Sequence, residues 1–412
     1  MLSRHTTAKY SLSAGGGANP PYIANPSSAA KPIVAAIPSD VSELTKAAQE
    51  TAAITSALED PAASNDWVVR LELNERLAQS RSSLGSAIVR TFNAQECVWI
   101  LLGEATNKNV QLQVGRGSAA LSNAADSAYK STPIVPNEML NRSEVSTQGS
   151  KARRLLLKAM IENGSEPRLG LEGYGPEVAM YKALLEGSGL HGNDKRSNTM
   201  VFRAPTEQSM LPAWAALEYQ FKHAKSRRLN LNDIYAALQS PPIGMKAAVV
   251  PVFVTVGLLS FSDEIAIYEH GTFKPNLDTA ISERMVSNPH HFDIKHFANT
   301  TGARRQVIDA LAQRLEVRPN FRKQRVANVL AIVGHLVSQI SRLDNYTRRT
   351  KNLSTKTRNV RDALLVAVEP DDLLFVTLPK TLGFAPVDTT AKNYANASSF
   401  AQSLGVALEE LT

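Results

Sequence analysis

Cysteine is nearly missing from this chain: Cys97 stands alone in 412 residues. A disulfide framework within the chain is thereby excluded, and a reducing, cytoplasmic setting is expected. Cys97 precedes the apolar run 98–102, so a buried, inert thiol is expected there. Aromatic residues are scarce at 6%, whereas 43% of the chain is hydrophobic, ample for packed cores, and plentiful Ala and Leu lean toward helices. Long apolar runs are also lacking. The longest, residues 247–261, spans 15 positions with a proline inside, short of the roughly 20 that a bilayer span needs. It reads as a buried helix, and no membrane partner is expected. Acids are absent from residues 1–39, which carry three Lys/Arg, the run Gly15-Gly16-Gly17 and prolines at 20, 21, 26, 32 and 38. Such a segment buries too little apolar surface to offset its ordering entropy, so disorder is expected.

Signatures of chemistry are lacking as well. No G-x-x-x-x-G-K-[ST], H-E-x-x-H, C-x-x-C or G-x-S-x-G occurs. Gly115-x-Gly117-x-x-Ala120 outlines a dinucleotide loop, but nothing downstream alternates strand and helix, so a tight turn is the reading. His290, His291 and His296 with Asp293 form the one metal-like group. On an extended strand His291 and Asp293 face one side while His290 and His296 face the other, so three ligands do not converge. No catalytic residue, cofactor or metal is expected.

What the chain does have is helical spacing, in segments 67–92, 150–163 and 302–315. In 326–343 apolar residues recur at three and four, giving a wide buried face. Ser354 is a candidate N-cap for a further helix, and Pro370 with Asp371 and Asp372 opens another. Gly383 is a natural stop, and 398–411 suits a terminal helix. Residues 151–154 place Lys151, Arg153 and Arg154 where a first turn would oppose the helix dipole, so either that helix begins earlier or the cluster faces an acid. His191-Gly192-Asn193-Asp194 reads as polar and exposed. Residues 229–297 read as helix, tight turn at 240–244, apolar helix, hairpin around His270-Gly271, helix and strand. The fold class expected is mainly α: multi-helix domains with a central winged-helix-like α+β module. The division read from composition is a tail with one helix at 1–64, a mostly helical domain with a small hairpin at 65–222, the module at 223–300 and a basic helical domain at 301–412.

Several short motifs occur in an order that carries a resemblance. They are P-N-E-M-L-N-R (136–142), K-A-R-R-L-L-L-K-A-M-I-E (151–162), L-E-G-Y-G-P-E (171–177), M-Y-K-A-L-L (180–185), P-P-I-G-M (241–245), N-Y-T-R-R-T-K-N-L-S (345–354) and R-D-A-L-L (361–365). Together they resemble the C-terminal, non-motor half of large bacterial P-loop ATPases of the BREX phage-exclusion type and their uncharacterised relatives. The likeness spans about residues 70–384 and rests on the order of the motifs. It implies a defence-associated function linked to nucleic acid, with other defence-complex subunits, an ATPase among them, as partners. Those proteins carry a Walker A loop and this sequence has none, so no ATP-binding residue carries over.

The net charge of +7 is unevenly spread. Residues 304–361 hold 14 Lys/Arg against Asp309, Glu316 and Asp344, a local +11 that leaves about −4 for the remainder. Two basic turns, interleaved with Phe321 and Tyr346, flank the apolar helix. The expected contacts are Arg318, Arg322, Lys323 and Arg325 in one, and Arg348, Arg349, Lys351, Lys356, Arg358 and Arg361 in the other. The expectation is non-specific DNA binding through phosphates. The rival is a protein-interaction scaffold whose basic face meets an acidic partner.

Overall fold

The computed structural model describes residues 33–93, 97–102, 113–114, 117–142, 144–194, 198–225, 227–297, 300–317, 328–366 and 369–411. The chain divides into two units, Ala29–Thr132 with Pro241–Gly244, and Pro133–Ser240 with Met245–Thr412. It is mainly α. No helix among the described residues is long and apolar enough to cross a membrane.

The smaller unit begins with strand β1 (Ile33–Pro38), which lies inside the segment expected to be disordered. It pairs antiparallel with β2 (Cys97–Leu102), Ile37 opposite Val98, and β2 pairs with β3 (Gln113–Val114). A composition rich in proline argued against a strand. Pro38 is tolerated because β1 is an edge strand and the proline is its last residue. Helices α1 (Ser42–Glu59), the short α2 (Pro61–Ser64) and α3 (Trp67–Thr91) follow, and then α4 (Gly117–Ala128). Asp66 starts α3 by accepting from the amides of Val68 and Val69. α1 and α3 pack on each other, with the Thr51 and Ser80 hydroxyls 2.7 Å apart. That packing runs across the boundary that composition placed at residue 64. Cys97 is fully buried, its Sγ donating to the Thr91 carbonyl at 3.5 Å. Residues 115–116 of the glycine motif lie outside the described residues.

The larger unit opens with α5 (Glu138–Asn141) and α6 (Thr147–Glu162). Ser146 caps α6, its hydroxyl accepting from Gly149 N at 3.1 Å. The helix therefore starts early enough that Lys151, Arg153 and Arg154 fall beyond its first turn. α7 (Pro176–Met180) continues as a π-helical turn through Glu186. A hairpin of β4 (His191–Asp194) and β5 (Thr199–Phe202) leads to α8 (Leu211–His223).

Next come β6 (Leu229–Asn230), α9 (Leu231–Gln239), α10 (Val250–Ser260), β7 (Ile265–Glu269), β8 (Thr272–Lys274), α11 (Thr279–Ser287) and β9 (Phe292–His296). The sheet is antiparallel in the order β6-β9-β7-β8. His270 and Gly271 join β7 to β8 with φ of 49° and 77°, the left-handed pair that matches strand twist in a two-residue turn.

The C-terminal part is helical: α12 (Gly302–Arg314), α13 (Val329–Arg342), α14 (Thr355–Leu365), α15 (Pro370–Asp372), a π-helical turn Leu373–Thr377, α16 (Leu378–Leu382) and α17 (Ala397–Leu411). Gly383 ends α16 at φ 88°. Val307, Leu311, Val333, Leu336, Phe375, Phe400 and Leu404 share one core with Tyr268 and Phe273 of the sheet. The core thus continues past residue 300, where composition placed a boundary.

Candidate nucleic-acid interface

α13 ends at Arg342, and the chain folds into a capped turn. Asp344 accepts from Thr347 N at 2.6 Å through Oδ1, and its carbonyl accepts from Arg348 N at 3.1 Å. Backbone bonds to the Tyr346 carbonyl from Arg349 N and Thr350 N close the turn. From below, Arg361 Nη1 donates to the carbonyls of Thr347 at 3.2 Å and Thr350 at 2.7 Å. Arg361 Nε reaches Asp362 Oδ1 at 3.0 Å.

Ser354 then starts α14, accepting from Thr357 N at 3.2 Å. Lys356 and Arg358 sit in that helix's opening turn, where cations oppose the dipole. Glu410 of α17 offsets them. Its carboxylate accepts from the hydroxyls of Thr357 (2.5 Å) and Ser354 (2.8 Å) and from the Ser354 amide (2.6 Å). Those bonds, the Thr357 hydroxyl foremost, hold the Glu410 carboxyl below its ordinary pKa.

The basic residues divide by environment. Arg349, Lys351 and Lys356 are exposed, as is Tyr346 at 71%. Arg348 and Arg358 are half-buried. Arg348 donates Nη2 to the Ser341 carbonyl, and Arg358 donates Nη2 to Thr355 Oγ1 at 3.3 Å. Arg361 corrects the sequence reading. At 6% exposure, with its guanidinium committed to carbonyls, it builds the turn and does not meet solvent. Its position in a basic run hid this, because the turn that covers it lies a full loop upstream. Arg318, Arg322, Lys323 and Arg325 lie outside the described residues.

Arg342, absent from the residues singled out by sequence, is exposed at the end of α13 and also lines a groove of about 520 Å³. Lys274, Asn276, His335 and Ser338 share that lining. Burial, then the Arg342 charge, holds the His335 pKa below its ordinary value. Counting Arg342, residues 341–358 hold six Lys/Arg and one acid, Asp344.

The histidines regroup in a way the strand register could not indicate. His290 and His291 belong to a 3-10 turn, Pro289–His291, and not to the strand. His291 lies between His290, which it meets edge to face, and the hairpin's His270, to which it is tilted, at centroid distances of 4.1 and 4.2 Å. His296 lies 3.4 Å from Glu264. Among the described residues no three His, Cys, Asp or Glu side chains are placed to hold a metal ion. Comparison of the chain with protein-family models, with curated proteins and with solved structures finds no match in any of the three.

Proposed function

We propose that this chain is a non-catalytic nucleic-acid-binding component, contacting DNA phosphates without regard to base sequence through the surface 342–358. The observation that carries the reading is the segment 341–358, which holds six cations, Asp344 as its one acid and the exposed ring of Tyr346, set against the one carboxylate that Glu410 brings to Ser354 and Thr357. Exposed cations attract phosphates and an exposed aromatic ring offers a face on which an unpaired base stacks. The order of motifs supports a setting among phage-defence subunits, where an ATPase on another chain supplies the motor.

The centre is read as winged-helix-like. Support comes from the succession α8, β6, α9, α10, β7, β9 and from β9 inserting between β6 and β7. β8 and α11 then occupy the connection between the last two strands. In such a module the third helix would enter a DNA groove. Here that helix is α10, buried at ten of its eleven positions, so it presents no polar face. The module serves as core and support, and the DNA contact falls to the turn. The buried helix also favours the second reading, a scaffold whose basic face docks an acidic protein.

Salt-dependent binding to a DNA duplex and to a single strand tests the proposal. Replacing Arg349, Lys351 and Lys356 together by Ala is expected to lower the slope of log K against log salt by up to about 2.7 on duplex DNA, about 0.9 for each phosphate no longer neutralised. The fold is expected to persist, because exposed charges contribute little to stability. An unchanged slope in the folded triple variant rules out this surface. No DNA binding even at low salt moves the scaffold reading ahead.

A further inference from the structure

A second basic feature lies in a different place, the groove of about 450 Å³ between α6 and α11. Ser150, Arg153 and Arg154 enter it from α6, and Glu283, Arg284 and Ser287 from α11. On α6, positions 150, 153 and 154 share one face, being three and four residues apart. Arg284 is committed: Nε and Nη2 grip the Glu269 carboxylate at 2.5 and 3.0 Å, and Lys274 reaches the same carboxylate at 3.2 Å. Arg154 stands 3.8 Å from Glu283, a loose pair.

Arg153 is the anomaly. It is half-buried and makes no hydrogen bond or ion pair among the described residues. Burial lowers the pKa of its guanidinium, and the ionisable neighbour that bears on it is a phenol, Tyr235, not a carboxylate. A guanidinium stays charged at any pH a folded protein meets, so it does not escape the cost of burial by losing its proton. Among the described residues no Arg153 nitrogen is a fully buried atom without a partner, so solvent reaches this guanidinium from the groove and an anion from outside the chain can take the place of water there. The balance is explicit. Among the charged groups that line the groove, Arg284 is balanced by Glu269 and Arg154 by Glu283, so Arg153 leaves an excess of +1.

We infer that this groove binds the phosphate group of a small phosphomonoester, with Arg153 as the primary donor. The one uncompensated positive charge is a counter-charge for a phosphate oxygen. The planar fork of a guanidinium pairs with two of its oxygens, and the Ser150 hydroxyl stands on the same helix face to serve a third. The volume exceeds what phosphate alone fills and falls within the range of about 300–1,000 Å³ usual for small-molecule sites. This site shares no residue with the surface proposed for DNA, and it stands or falls separately.

Titration of the full chain with glycerol 3-phosphate and with inorganic phosphate, by calorimetry and thermal melting at constant ionic strength, is the test. Saturable binding and a melting temperature that rises with ligand are expected. Arg153→Met is expected to weaken binding at least about tenfold. It should leave the melting temperature without ligand unchanged or higher, since it removes an unpaired charge. Arg154→Gln, at an exposed position, is expected to fold normally and to weaken binding less. No saturable binding of either probe at roughly 10 mM overturns the inference, as does undiminished binding by both variants. Displacement of glycerol 3-phosphate by a short DNA at comparable concentration would assign the groove to nucleic-acid phosphates and overturn the small-ligand assignment.

Discussion

His191 opens the stretch His191-Gly192-Asn193-Asp194, which reads as polar and exposed from its sequence, yet it is 2% exposed. Its Nε2 faces the carbonyl of Gly164 at 3.1 Å, so that nitrogen carries the proton and donates. Nδ1 is then the acceptor, and the Tyr181 hydroxyl donates to it at 3.0 Å. Phe202 packs against the ring with centroids 4.7 Å apart. Burial, reinforced by Arg203, holds the His191 pKa below its ordinary value, while burial raises that of Tyr181 to about 12. The folded form therefore resists a proton that the unfolded chain accepts near pH 6.5. Stability from His191 is fully present above about pH 6.5 and is lost as pH falls from there through the lower folded value. Melting temperature measured from pH 8 to pH 5 is expected to drop over that window, and His191→Phe is expected to flatten the drop. An equal drop in the variant would show that other groups carry it.

At the scale of elements, α10 shows how a proline finds its place. The apolar run begins at Ala247, yet the helix starts only at Val250, which puts Pro251 in the first turn, where its missing N–H goes unnoticed. Residues 246–249 form the turn that leads in, with Val249 N donating to the Lys246 carbonyl at 2.9 Å. Nearly every side chain of α10 is buried, so the helix has no solvent face to absorb a change. Phe253 is fully enclosed and meets Trp214 edge to face, with centroids 5.9 Å apart. Phe253→Ala is expected to cost about 3–5 kcal/mol, read by urea unfolding. A loss under about 1 kcal/mol would mean that the surroundings collapse into the space.

Across the larger unit, Glu369 ties the sheet to the C-terminal helices. Its Oε2 accepts from Lys295 Nζ at 2.8 Å and from the Tyr268 hydroxyl at 3.2 Å, and its Oε1 accepts from Arg228 Nε at 2.9 Å. Arg228 also lies 3.7 Å over the Tyr268 ring and donates Nη1 to the Gly271 carbonyl at 3.1 Å. Burial pulls the Glu369 pKa up, but the Lys295 and Arg228 contacts outweigh it and hold the carboxyl below its ordinary value. Its stabilisation is thus present at neutral pH and lost as pH falls through that depressed value. Arg228 and Lys295 are each only 25% exposed, so Glu369→Ala leaves two cations largely out of water. A loss of roughly 3 kcal/mol is expected, the low end for breaking a buried pair because both keep some contact with solvent. Thermal unfolding followed by near-UV circular dichroism measures it. A variant as stable as the parent would mean that water replaces the carboxylate.

Local pattern was enough to place most helices, because spacing of apolar residues and capping side chains act within a turn or two. Ser354 caps α14, Gly383 closes α16, and the turn at His270-Gly271 joins two strands, all as the residues themselves dictate. Exposure of Arg349, Lys351 and Lys356 was legible for the same reason: no apolar periodicity pulls them inward. Burial of His191 and Arg361 was not legible, since each is covered by partners elsewhere in the chain, Gly164 for one and the Thr347–Thr350 turn for the other. The strand at Ile33–Pro38 needed β2, some sixty residues away, to satisfy its backbone. The basic cluster of α6, read from sequence as a sign either of an earlier helix start or of an acid facing it, shows its surroundings only when α11 is laid beside it. Only then does Arg153 stand half-buried in a groove without a counter-charge, because desolvation of a charge depends on what packs near it and not on its neighbours in sequence.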